Sequence, residues 1–159
     1  MTSLEQEVGN LLRQKGLTLG TVESATGGLI SHLITNTPGS SDYYKGSVTA
    51  YSNEVKIKVV GVKEDTINKY GAVSHQVAEE MAKGGKKILA ADICLADTGI
   101  AGPSGATPWK TLGLFYIGLS HQAGTCSQKH NFQGNREQNK RRAAEAALAW
   151  LKEYLISLK

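Results

Sequence analysis

The sequence predicts a single α/β domain over residues 1–159, a three-layer α/β/α sandwich with a mixed β-sheet. Three observations carry that expectation. Helix-period apolar stripes alternate with short β-rich runs as far as Ala96, the pattern of crossover connections. Two β-rich runs then follow one another, Leu112 to Leu119 and Thr125 to Phe132, about Gln122-Ala123-Gly124, which reads as an antiparallel hairpin. A long helix closes the chain, with Ala144, Ala147, Leu148, Leu151, Leu155 and Leu158 on one stripe. No repeat, linker or low-complexity segment interrupts the pattern.

Each element has a local cause. Ser3 and Gln6 form a capping box for a helix to Lys15, with Leu4, Val8, Leu11 and Leu12 inward and Gly16 as its stop. Leu17 to Val22 reads as a strand. The helix opened by Leu29 ends by Thr37, since Pro38 disfavours helical geometry in the residue before it. Pro38-Gly39-Ser40-Ser41 is a turn. Tyr43 to Tyr51 is rich in Tyr, Val and Thr and reads as a strand loosened by Gly46. Ser52-Asn53-Glu54 starts a short helix with Val55, Val59 and Val60 on its apolar face, and Glu64 to Tyr70 forms another. Ser74 caps a longer helix with Val77, Met81 and Ile88 inward, while Ala78, Ala82 and Gly85 leave room for close approach to a sheet. Ala91 to Ala96 is a buried strand, and the weak alternation after Thr125 suits an edge strand. Asn135 and Gln138 make a second capping box for the last helix.

Composition narrows the function. Forty per cent hydrophobic and twenty per cent charged residues describe a folded domain rather than a disordered one. Aromatics at six per cent argue against a base-stacking surface, and a net charge of +4 permits an anionic ligand without specifying one. Cys94 and Cys126 fall in expected strands without disulfide or zinc spacing and read as buried free thiols in a reducing compartment. No apolar run reaches membrane-spanning length, and Met1-Thr2-Ser3-Leu4-Glu5 lacks the basic start of a signal peptide. A cytoplasmic protein without membrane contact is expected.

The stretch Thr21 to Gly28 leads from a strand through a hydroxyl- and glycine-rich turn into a helix. Two readings are open: free backbone N–H groups gathered around Ser24 for an anion or oxyanion, or a tight capped connection in which Ser24 is only an N-cap. Two further small-residue loops follow expected strands, Tyr51 to Lys56 and Thr98 to Gly105. Ligands of open α/β sheets sit beyond the carboxyl ends of strands, so the three loops are candidates for one site.

The runs VESATGG at Val22, YSNEVK at Tyr51 with Gly61-Val62 behind it, YGAVS at Tyr70 and TGIAGPSGATPWKTLG at Thr98 resemble the CinA C-terminal domain family over Leu4 to Leu155. Active members of that family are nicotinamide-nucleotide amidohydrolases, which convert nicotinamide mononucleotide (NMN) to the nicotinate nucleotide and ammonia. Larger members carry an N-terminal nucleotide-processing domain, and nothing is carried over from it. The resemblance implies Ser24 as nucleophile, Lys56 as its base and Tyr51 as a residue that orients the amine or relays a proton. It implies no cofactor and no metal. Thr26, Gly27 and Gly28 are the candidate oxyanion donors, and Thr98 and Gly102 belong to a loop that either lines the nucleoside pocket or merely joins strands. Arg136 and Lys140, one helical turn apart, are candidates for the substrate phosphate. Lys140 stands where relatives have arginine, so a point charge replaces a bidentate fork. The competing reading of these two is a basic, solvated helix face shared with Arg141 and Arg142. Asp97 reads as structural, and His32, His75, His121 and His130 receive no role.

The function expected is therefore NMN amidohydrolysis in pyridine-nucleotide recycling, by a homo-oligomer. The alternatives are a catalytically silent nucleotide-binding or competence/DNA-damage-associated module, and a nucleic-acid accessory protein using Lys129, Arg136, Lys140, Arg141 and Arg142. Scarce aromatics make nucleic acid the weakest partner.

Overall fold

A central strand must be buried along its whole length, and Leu19–Glu23 (β1) is, with even Thr21 and Glu23 sealed from solvent. The computed structural model describes residues 1–159 and sets β1 inside a five-stranded sheet. Tyr44–Thr49 (β2) and Ile93–Gly99 (β3) flank β1 in parallel. Leu114–His121 (β4) and Gly124–Asn131 (β5) add antiparallel strands beyond β3, giving the order β2-β1-β3-β4-β5.

The helices are Leu4–Lys15 (α1), Leu29–Thr35 (α2), Asn53–Val55 (α3), Glu64–Tyr70 (α4), His75–Ile88 (α5) and Arg136–Ser157 (α6). Alternate strand residues serve opposite faces. Leu19, Ile93, Leu95, Ile117 and Leu119 pack with Val8, Leu12, Ile30 and Leu33 of α1 and α2 and with Leu148 and Leu151 of α6. On the other face, Val22, Cys94 and Ala96 meet Val77, Met81 and Ala82 of α5. The mixed sheet and its two helical layers are those the alternation of periods predicts.

Both capping boxes form, at Ser3/Gln6 and at Asn135/Gln138. Boundaries moved at three functional places. β2 stops at Thr49, so Tyr51 lies in the following loop. β3 runs past Ala96 to Gly99 and takes Asp97 and Thr98 into the sheet. The short helix at Asn53 continues at Lys56–Val60 as a π turn, with Lys56 and Val60 buried and Val59 exposed. A wider turn rotates successive side chains differently from an α-helix, which is why the α-period placed Val59 wrongly.

Two further expectations are corrected. Ile88 is exposed, because Leu89 packs over Gly20 and covers the end of the sheet in its place. Cys126 is exposed on the edge strand β5, whereas Cys94 is buried as expected. No helix is long and apolar enough to cross a membrane.

Candidate active site

Three chain segments meet at the carboxyl ends of β1, β2 and β3. Ser24 is the residue after β1, and Lys56 begins the π turn after β2. Lys56 Nζ donates to Ser24 Oγ at 2.9 Å and to the Tyr51 carbonyl at 3.2 Å. Lys56 is among the largest of the fully buried side chains, only 2% exposed. An ammonium cut off from water loses hydration that two neutral acceptors replace incompletely. Burial accordingly holds the Lys56 amine below the ordinary lysine range, against the opposing pull of the Asp97 carboxylate.

Ser24 does not cap a helix. The N-terminus of α2 is served instead by Glu23, whose Oε1 accepts the N–H groups of Gly28 at 3.1 Å and Ile30 at 2.8 Å, while Oε2 accepts that of Ser31 at 2.9 Å. Gly27 and Gly28 adopt φ of 62° and 101°, the left-handed geometry that turns the chain from the serine into this helix. Asp97, fully buried within β3, accepts the N–H groups of Ser24 and Thr26, each at 3.1 Å. Burial raises the Asp97 carboxyl to about 6; Thr26 hydrogen bonds pull it down and the charge of Glu23 pushes it further up.

These bonds correct one expectation. The N–H of Thr26 is taken by Asp97, that of Gly27 by the Ser24 carbonyl at 3.0 Å, and that of Gly28 by Glu23. None of the three is free to hold an oxyanion. The Ala25 N–H, next to the serine, has no acceptor within the chain.

A cavity of about 270 Å³ opens in front of Ser24, bordered by Ala25, Tyr51, Asn53, Lys56, Thr98 and Arg136 among others. Tyr51 enters it from the loop, 60% exposed, and its hydroxyl meets Arg136 Nη2 at 3.1 Å rather than Lys56 or Ser24. The Thr98 hydroxyl donates to the Ala72 carbonyl at 2.8 Å. Gly102 lies outside this wall, and its carbonyl accepts Arg136 Nη1 at 2.7 Å. Arg136 thus ties Tyr51 to the Gly102 loop across the mouth.

Lys140 does not join Arg136. Ser24 and Ala25 border the first cavity, whereas Thr26, Gly27, Gly28 and Lys140 border a separate cleft between α2 and α6. The turn from Ser24 to Gly28 lies between the two cations and separates them. Asn139 escaped the sequence reading although it is 1% exposed: its Nδ2 donates to the carbonyls of Ala101 at 3.0 Å and Gly134 at 2.9 Å. Its signal was its phase, since Asn139, Ala143 and Ala147 share one inward face of α6.

Fold and site together define an α/β protein with a buried serine–lysine pair at the carboxyl edge of a mixed sheet. The model of the CinA C-terminal domain matches residues 1–155, and the chain belongs to that family. Among relatives, a CinA-like protein of Thermotoga neapolitana is 48% identical over 96% of this chain and 37% of its own length. The chain spans less than two fifths of the length of the curated relatives it matches. Among solved structures, a CinA superfamily protein from Klebsiella pneumoniae superposes with a TM-score of 0.94 at 29% identity, covering 98% of this chain and 97% of that one. A competence/damage-inducible protein from Agrobacterium tumefaciens gives 0.92 at 32% identity, over 97% and 94%.

Proposed function

We propose that this domain hydrolyses the carboxamide of NMN through Ser24, with Lys56 as the base. The observation that carries the reading is the 2.9 Å contact between a buried lysine amine and a serine oxygen in a cavity beyond the sheet. A neutral amine reverses that hydrogen bond: Ser24 donates its proton to Nζ as Oγ attacks the carboxamide carbon. The tetrahedral oxyanion forms beside the Ala25 N–H, the residue after the nucleophile. Lys56 then returns its proton to the departing nitrogen, ammonia leaves, and a nicotinoyl ester remains on Ser24. Water, deprotonated by the same amine, attacks the ester carbon, the acyl–Oγ bond breaks as Lys56 returns that proton to the Ser24 oxygen, and the nicotinate nucleotide leaves. Proton gain and loss at Lys56 balance over the cycle.

Arg136 supports an anionic substrate group at the mouth, where it also fixes the Tyr51 hydroxyl. Lys140 has no part in this cavity. A cytoplasmic homo-oligomer acting in pyridine-nucleotide recycling is the setting we infer. Ammonia release from NMN tests the reading, run beside nicotinamide riboside and free nicotinamide. Turnover of NMN with weak or no turnover of the other two is expected. Folded protein that is stabilised by NMN yet releases no ammonia would instead establish a binding module without catalysis.

A further inference from the structure

Behind the nucleophile turn lie two carboxyl groups with no exposed surface, Glu23 and Asp97. The ladder between β1 and β3 pairs Val22 with Ala96, so the next residues, Glu23 and Asp97, come side by side on the α2 and α6 face. Thr26 Oγ1 stands between them, 2.7 Å from Glu23 Oε1 and also in contact with Asp97 Oδ1. A hydroxyl has one proton and donates once. With both acids ionised, one of these contacts would set lone pair against lone pair in a sealed site. One additional proton removes the conflict, because a protonated carboxyl donates to Thr26 Oγ1 and Thr26 donates onward.

Glu23 is the better supported anion of the two. It accepts three N–H groups of the α2 turn, while Asp97 accepts two. Asp97 therefore carries the proton. No other charge faces it from its own side of the sheet: Ile117 stands opposite on β4, and α6 packs there through Ala143 and Ala144. Lys56 is the cation that senses it, while Arg136 and Lys140 border the two hollows.

We propose that Asp97 and Glu23 share one proton through Thr26 Oγ1, and that this buried dyad positions the nucleophile turn. Asp97 holds the backbone on both sides of Ala25, and so fixes the Ser24 hydroxyl and the one free N–H together. Its neutral form also leaves the Lys56 amine without an adjacent anion, which favours the free base. The inference rests on Ser24 being the nucleophile; Asp97, Thr26 and Glu23 act through it as positioning residues and touch no substrate.

The test compares wild type with Thr26→Val, Thr26→Ser and Asp97→Asn. Two rates are read, ammonia release from NMN and covalent labelling of Ser24 by a fluorophosphonate ester, which needs no NMN. In labelling, Oγ bonds to phosphorus, fluoride leaves, and the serine proton passes to Lys56. Thr26→Val is expected to slow both rates by about 10²–10³-fold, the cost of misplacing an oxyanion donor, with KM within about threefold. Thr26→Ser, which keeps the hydroxyl, recovers most of the loss. Asp97→Asn leaves the acidic limb of the labelling profile where it stands in wild type, because a protonated Asp97 gives Lys56 no anion to lose. Wild-type rates in Thr26→Val, or an acidic limb displaced to lower pH in Asp97→Asn, overturn the proposal. Should Thr26→Val not fold, the Asp97→Asn profile decides alone. Labelling that follows the expected pattern in a protein inert toward NMN upholds the dyad and sinks the amidohydrolase reading.

Discussion

Lys56 shows how one side chain converts packing into chemistry. Its ammonium contacts only neutral oxygens from Ser24 and Tyr51, so the fold favours the free base. The proposed mechanism requires that base, and the rate should rise with pH until Lys56 is fully deprotonated, below the usual lysine range. Lys56→Arg should be inactive at every pH between 6 and 10, since a guanidinium does not deprotonate there. Lys56→Met should lose activity while melting no lower than wild type, because an apolar side chain of similar length avoids burying a charge. Asp97 gives a second residue-scale prediction, in stability. Its folded value of about 6 lies above the ordinary 3.8, so between those values the folded state binds the extra proton. Unfolding free energy should therefore fall as pH rises from 4 to 6, by up to about 3 kcal/mol, and Asp97→Asn should flatten that slope. Urea titrations across this range measure it.

At the scale of elements, α5 and the π turn are fitted to each other. A Cβ on Gly84 would lie 2.1 Å from the carbonyl oxygen of Val60, at the far end of the turn that carries Lys56. Gly84→Ala must push that backbone away, at about 1–3 kcal/mol, and should lower kcat by moving the amine from Ser24. Thermal melts and steady-state rates on one preparation check both effects. Helix stripes, caps and the hairpin were legible because each is written in neighbours of fixed period: Leu4 to Leu12, Ser3 with Gln6, Asn135 with Gln138. The serine turn was legible as a motif, and family resemblance paired it with Lys56 and Tyr51. The Glu23–Thr26–Asp97 link was not, since it joins strand ends separated by about seventy residues through a register that no local pattern encodes. The engagement of the Thr26 N–H by Asp97 escaped for the same reason, whereas the Gly27 and Gly28 N–H groups are taken within the turn, by the Ser24 carbonyl and the Glu23 carboxylate. Also hidden was the separation of Arg136 from Lys140, which helical spacing placed on one side and the intervening turn set apart.

For the whole molecule, the mixed sheet explains where the chemistry sits. Parallel β2, β1 and β3 all deliver their carboxyl ends to one edge, and the antiparallel pair β4 and β5 returns the chain so that α6 brings Arg136 and Asn139 to the same place. Asn139→Ala should release the Ala101 loop from α6, leaving a buried carbonyl unsatisfied at about 1–3 kcal/mol and raising KM more than it lowers kcat. The claim that joins these scales is that Ser24 attacks the NMN carboxamide under activation by Lys56. It is tested most directly by ammonia release from NMN carrying a nitrogen-15 label in its carboxamide, with wild type and folded Ser24→Ala side by side. Labelled ammonia from wild type and none above background from Ser24→Ala is the result predicted. Labelled ammonia from Ser24→Ala at the wild-type rate, or none from either protein, would contradict it.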